Sequence, residues 1–175
     1  MTRSVVMGLG NPDRGDDGVA LHVVNRLRRR LGSPPLGDGD TGLDGTATEA
    51  AVLFVRQLVP ELALDVGGCS RLVFVDAHLP TDPRALVCTR IGPEARWALG
   101  LTHALPPKGF LWLLQAFAGR APENFLISVR GERFDFTRKL SPAAAALVDP
   151  AAGILLRLIR PGDGRRLCTD HPREV

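Results

Sequence analysis

Four ionisable residues stand where chemistry is easiest to build, at the ends of apolar runs or just before a helix signal. Asp16 and Asp17 lie in tandem within GLGNPDRGDDG (Gly8 to Gly18), Asp76 closes the run VFVD, and His103 precedes two prolines in THALPP. Helix N-termini favour negative charge, so one acid after a strand is ordinary. Two in tandem differ, because neighbours on a helix point about 100° apart. One can cap the first turn while the other looks into the cleft above the sheet. Two carboxylates and an imidazole suit a borderline divalent ion such as nickel or zinc. Two carboxylates alone could serve acid–base hydrolysis. An Asp at a strand end is also a common turn-former or cap, and for Asp76 both roles stay open at this point.

The elements that must position these groups follow from periodicity and punctuation. Ser4 to Met7 reads as a buried strand, and Val19, Leu21, Val23, Val24 and Leu27 mark an amphipathic helix after it. The stretch GSPPLGDGDTGLDGTA is rich in Gly, Pro and Asp and exceeds the ~12–15 residues of ordinary connections. Its segment from Gly32 to Thr46 is expected to open freely and to border a substrate cleft. Ala51 to Gln57 reads as a second strand, followed by a short helix opened by Pro60 and Glu61. Leu72 to Val75 is continuously apolar, as a central parallel strand buried on both faces would be. Ala85 to Ile91 is a strand nearer an edge, Pro106 and Pro107 open a helix closed by Gly119, and Phe125 to Val129 is a last strand. Ser141 and Pro142 form a cap and first-turn pair. Asp149 and Pro150 repeat that signal, so the C-terminal helix is expected to break near Val148 and resume to Ile159. From Pro161 onward the chain is polar and expected to fray.

Alternating strands and helices define an α/β sandwich with a mostly parallel sheet. Open sheets of this kind bind ligands beyond the carboxyl ends of their strands, where the tandem acids and Asp76 fall. If the first and third strands are neighbours, Asp16, Asp17, Asp76 and His103 converge on one edge. A dinucleotide site is disfavoured: Asp13 occupies the third glycine's place in G-x-G-x-x-G, and a carboxylate pair would repel a pyrophosphate.

Composition removes other classes. The chain has 175 residues, 45% of them hydrophobic, and a net charge of +3. That suits one domain with a real core. No apolar run approaches the ~20 residues of a membrane span, and no secretory cleavage region is seen, so a cytoplasmic location is expected. Cys69, Cys88 and Cys168 are odd in number and scattered, and read as buried or incidental thiols rather than a disulfide framework or a zinc site. The isoelectric point near 9.1 suggests nucleic acid. However, the basic residues sit at the end of the first helix (Arg28 to Arg30) and along the tail, without interleaved aromatics, and no nucleic-acid partner is expected.

In order along the chain, GLGNPDRGDDG, QLVPELA (Gln57 to Ala63), VFVDA ending at Ala77, THALPP (Thr102 to Pro107), FLISVRGE and LSPAAAA (Leu140 to Ala146) resemble the hydrogenase maturation endopeptidases. These enzymes trim the C-terminal extension of [NiFe]-hydrogenase large subunits. The resemblance implies a three-layer α/β/α sandwich, phosphorylase/hydrolase-like, with a five-stranded, partly mixed twisted sheet. It implies a single peptidase domain over 1–160 with a polar tail over 161–175, and an aspartic-type endopeptidase that activates another enzyme. It also implies a nickel-sensing site of Asp17, Asp76 and His103, with Asp17 facing the cleft, Asp16 as the cap, and Asp17 or Asp76 as general base. The nickel belongs either to the protease or to its substrate, and other divalent ions can take its place. The implied partner is the large-subunit precursor, and the implied state is a monomer. Ala20 stands where the family usually has Gly, and His78 matches no family position: it is a fourth ligand or a loop histidine. Two other functions compete. One is a catalytically inactive accessory protein that binds metal or a hydrogenase subunit. The other is peptidyl-tRNA hydrolase, which shares GLGNP but continues with a catalytic His segment where this chain has DRGDDG.

Overall fold

The computed structural model describes residues 4–43, 50–94, 105–160 and 164–170. Strand β1 (Ser4–Leu9) is buried throughout and lies between two parallel neighbours, β2 (Ala50–Val55) and β3 (Arg71–His78). Beyond β3 come β5 (Glu123–Arg130), parallel to it, then β4 (Leu86–Arg90), antiparallel to β5. A two-residue strand β6 (Thr169–Asp170) closes the sheet in the order β2-β1-β3-β5-β4-β6. The sheet is therefore mixed and mostly parallel, as expected, with six strands rather than five. The first and third strands are neighbours, which brings their carboxyl ends together.

Helix α1 (Val19–Arg30) and helix α4 (Pro142–Leu158) cover one face, where Val6, Val73, Val75 and Ile127 meet Val23, Leu27, Ala152 and Leu155 in one core. Helix α2 (Leu62–Val66) and helix α3 (Pro107–Ala118) cover the other, where Met7, Leu53 and Phe74 pack on Leu62, Phe110 and Leu114. The alternation of the strands sorts these two sets, since successive side chains point to opposite faces. Ala20, where a glycine is usual in the resembled family, is fully buried in the first core. The caps follow the sequence signals: Ser141 accepts from the Ala144 N–H, and Gly119 ends α3 in a left-handed conformation.

Three expectations are overturned. Helix α4 does not break at Val148 but runs through Pro150 without interruption. An internal proline costs about 3 kcal/mol. Here Val148, Ala151, Ala152, Leu155 and Leu158 are all buried on the far side of that proline or beside it, and burial at ~25 cal/mol per Å² outweighs the local cost. Asp149 caps nothing; its carboxylate meets Arg30 at 2.8 Å and Arg26 at 3.4 Å, tying α4 to α1.

Cys88 and Cys168 are not incidental thiols. They form a disulfide, with Cα atoms 4.6 Å apart across 80 residues of chain, while Cys69 is buried elsewhere. Linear spacing gave no hint, because the pairing depends on helix α5 (Gly164–Leu167) returning the chain to the edge of β4. Arg90 then meets Asp170 at 3.1 Å. Residues 164–170, within the stretch read as fraying, are thus held by a covalent link and a strand pair.

The third correction concerns the Gly-rich loop after α1. Leu36 is 5% exposed and exchanges two hydrogen bonds with the Asn25 side chain, at 2.7 and 3.2 Å. Arg28 bonds the Pro34 and Val52 carbonyls, and the Phe54 N–H donates to the Thr41 carbonyl. Through residue 43 the loop is a packed strap along the edge of β2, not a free flap; residues 44–46 lie outside the described residues. One buried leucine and a few polar side chains on α1 suffice, and composition averages them away.

Candidate functional site

The carboxyl ends of β1 and β3 lie side by side, and each delivers one acid. After β1 the chain turns at Gly10, whose φ of 136° lies in the region open to glycine and where a Cβ would run into the Asp17 carbonyl. A 3-10 turn, Gly15–Gly18, leads into α1 and presents Asp17. One Asp17 oxygen accepts the Asn11 N–H at 2.9 Å. Asp76 lies on β3 beside Ser128 of β5 and accepts the N–H of Ala77 at 2.8 Å. Burial pushes its carboxyl up, against the Ala77 hydrogen bond, and the Asp17 charge pushes it further, to about 7. The two acids are therefore close enough to feel each other.

Asp16 does something different from its neighbour. It is fully buried and caps no helix. Its Oδ2 accepts the N–H groups of Glu132 and Arg133 at 2.8 and 3.0 Å, and its Oδ1 accepts that of Ser141 at 2.6 Å. Burial alone would raise this carboxyl, but the three backbone donors outweigh it and hold it below the usual range. The expected cap is thus corrected: Asp16 pins the 131–141 loop, which returns the favour through Asp16 N–H to the Arg133 carbonyl at 2.8 Å and Gly15 N–H to Thr137 at 2.6 Å.

His78 faces Ser128 Oγ with Nδ1 at 2.8 Å and the Arg84 carbonyl with Nε2 at 2.9 Å. A carbonyl only accepts, so Nε2 carries a proton and donates it to Arg84. Both ring nitrogens are engaged, and His78 bridges β3, β5 and the turn into β4. His103 lies outside the described residues; Leu105, two positions on, pairs with Leu58 at the exit of β2. Among the described residues no three His, Cys, Asp or Glu side chains gather as a metal cluster. Asp17 and Asp76 do offer hard oxygen donors, one of them desolvated beside a like charge, and a cation there would relieve that repulsion.

Around the pair runs an ionic seam that the motifs did not announce. Asp38 meets Arg138 at 2.8 Å, Arg138 meets Asp13 at 2.7 Å, and Asp13 meets Arg56 at 2.9 Å. Arg56 also donates to Asn11 Oδ1 at 2.7 Å, so the seam reaches the residue that holds Asp17. The two guanidiniums keep Asp13 and Asp38 below the usual carboxylate range. A cavity of about 220 Å³ lies beside the seam, walled by Pro12, Leu21, Phe54, Arg56 and the strap at Asp38 to Thr41. Alternating charge in DRGDD and FTRK was the only sequence signal for this seam, and nothing in it names the partners.

The chain is thus a parallel-dominated α/β/α sandwich with paired acids at the carboxyl edge of β1 and β3. No protein-family model and no curated protein matches the chain. Solved structures do. The [NiFe] hydrogenase maturation protease HybD from Thermococcus kodakarensis superposes with a TM-score of 0.62 at 24% identity, covering 91% of this chain and 100% of its own. The hydrogenase maturating endopeptidase HybD from E. coli gives 0.64 at 21% identity over 92% and 94%. HycI from Thermococcus kodakarensis KOD1, also a [NiFe] hydrogenase maturation protease, gives 0.61 at 20% over 90% and 92%. At these identities the likeness establishes the fold.

Proposed function

We propose that this protein is an endopeptidase that removes the C-terminal extension of a [NiFe]-hydrogenase large-subunit precursor after nickel insertion. The observation that carries the reading is the pairing of Asp76 with Asp17 at the carboxyl edge of neighbouring parallel strands, with Asp76 poised near neutrality. A base is most effective when its pKa lies near the working pH, and of the two acids Asp76 meets that condition. Asp76 would take a proton from the attacking water as its oxygen adds to the scissile carbonyl. The same proton would then pass to the leaving amine as the peptide bond breaks. Asp17, oriented by the Asn11 N–H, would keep Asp76 basic by its charge.

Asp17 and Asp76 are the residues in place to hold a divalent ion, and His103 is the third donor implied by the sequence. A divalent ion so held would polarise a carbonyl or, as the precursor's own nickel, report that insertion is complete. Asp82, the acid of the β3–β4 turn, is committed elsewhere, to Arg84 at 2.6 Å.

The test is incubation with a nickel-loaded large-subunit precursor followed by intact mass. One cut near the precursor's C-terminus is expected, and none in metal-free precursor. An intact loaded precursor, or equal cleavage of both forms, would remove the reading and favour an accessory role in binding metal or a hydrogenase subunit. Among the described residues no helix is long and apolar enough to cross a membrane, and work on a folded precursor in the cytoplasm belongs to the same proposal.

A further inference from the structure

Asn11 to Arg14 form a turn that is stiff in itself. The Arg14 N–H donates to the Asn11 carbonyl at 3.0 Å, and the Asp13 N–H donates to Asn11 Oδ1 at the same distance. Proline at the second position, and an Asn whose side chain accepts from two residues on, are what such a turn takes. Its stiffness stops where it joins β1. The link there is Gly10, at a φ of 136° that glycine alone adopts readily. Rotation about Gly10 would swing the turn as one piece. It would carry along the Asn11 N–H, which holds Asp17 Oδ2 at 2.9 Å.

Beyond the turn the chain is fastened to the 131–141 loop, where the Gly15 N–H bonds the Thr137 carbonyl at 2.6 Å. The near end is fastened by Arg56, at the exit of β2. One guanidinium nitrogen donates to Asn11 Oδ1 at 2.7 Å and another to Asp13 Oδ2 at 2.9 Å. Among the described residues no other side chain from outside the turn bonds the Asn11 side chain. Arg138 reaches Asp13 but not Asn11. The planar fork of an arginine fixes direction as well as distance, whereas a lysine ammonium is a point charge on a flexible stem. The Arg56 side chain is 57% exposed, and an exposed ion pair adds little to stability.

We infer that Arg56 is a positioning residue for the carboxylate pair: it locks the turn against its glycine pivot, and through the Asn11 N–H it sets the placement of Asp17 against Asp76. For its effect on rate the inference rests on the processing reading, while its effect on the Asn11 N–H stands without it. A displacement of about 1 Å in a reacting group can cost a hundredfold in rate, even when the change lies away from the chemistry.

The experiment compares wild type with Arg56→Met, Arg56→Lys and Arg84→Met, the last breaking a similarly exposed pair, with Asp82, away from the turn. Exchange of the Asn11 amide is read by NMR in the free protein, and cleavage is followed with nickel-loaded precursor. Arg56→Met should speed Asn11 exchange roughly tenfold and lower the rate at saturating precursor roughly tenfold to a hundredfold. Its KM and melting temperature should stay near wild type. Arg56→Lys should restore neither exchange nor rate, and Arg84→Met should match wild type. Unchanged Asn11 exchange in Arg56→Met overturns the inference. So does full rescue by Arg56→Lys, which would make charge alone sufficient. A raised KM at an unchanged saturated rate would make Arg56 a substrate contact instead, and a fall in melting temperature that accounts for the lost rate would make it a structural brace. If wild type leaves the loaded precursor intact, the processing reading falls. Asn11 exchange then decides the positioning role alone: faster in both Arg56 variants upholds it, and unchanged removes it.

Discussion

Asp16 and Asp76 are both aspartates at the carboxyl edge of one sheet, Asp16 fully buried and Asp76 partly so, and they are driven in opposite directions. Asp16 receives three backbone N–H groups and stays ionised below the usual range. Asp76 receives one, from its own neighbour Ala77, faces the charge of Asp17 and rises to about 7. Burial is common to both, so burial does not separate a structural acid from a reactive one. What separates them is whether the backbone has been arranged to satisfy the charge. Where it has, the carboxylate is a fastener; where it has not, the site keeps an unstable charge that only a proton or a cation can settle.

The largest expected effect breaks the comparison at Asp76. Asp76→Asn should lower processing by roughly a thousandfold, within the range for loss of a general base, as read from the mass of the precursor. The same variant should be the more stable protein at pH 8 when metal is absent. The folded-state pKa of Asp76 is raised, so its contribution is fully present below pH ~4 and lost as pH rises through about 7. The loss is about 4 kcal/mol at most, at 1.36 kcal/mol per pKa unit. Urea melts of wild type should therefore fall between pH 4 and 8 by an amount that Asp76→Asn removes. Parallel profiles for the two proteins would refute the unstable charge.

Asp16 should fail in the other sense. Asp16→Ala leaves three backbone donors without their acceptor and should cost about 3 kcal/mol or more. Asp16→Asn should also destabilise, by about 1–2 kcal/mol, because its amide places a donor against donors. Its carboxyl is depressed, so the stability it confers is present above the ordinary carboxylate range and is lost as pH falls through the folded-state value. Nickel affinity in the folded fraction should be unchanged; a large drop in that affinity for Asp16→Asn would mean that the two tandem acids share one task.

His78→Ala sharpens the boundary between the regions. Losing the bonds to Ser128 and Arg84 should lower stability by about 1–2 kcal/mol. Calorimetric titration with nickel should show no change, and a weakened site would make His78 a ligand after all. The smallest effect concerns the strap along β2. The amides of Leu36 and Phe54 should exchange slowly in the free protein, and Asn25→Ala should release Leu36 first. Fast exchange at both would restore the free flap.

The sequence by itself determined the architecture, because that depends on local signals summed along the chain. Apolar runs at Ser4–Met7 and Leu72–Val75, caps at Ser141 and Gly119, and the acid pair after a glycine turn all point to an α/β sandwich with its chemistry at one edge. Each of those signals lies within a few residues of what it specifies. The task of Asp16 was not legible, since the donors that claim it come from residues 132, 133 and 141, more than a hundred positions away. Nor was the continuity of α4 through Pro150, where packing across the core outweighed a local breaker, nor the bond between Cys88 and Cys168, which requires the chain to return to an edge strand. Propensity and spacing act over one or two turns of chain. Charge state, disulfide pairing and the satisfaction of buried donors are set by which distant segments the fold brings within three ångströms, and only the tertiary structure decides that.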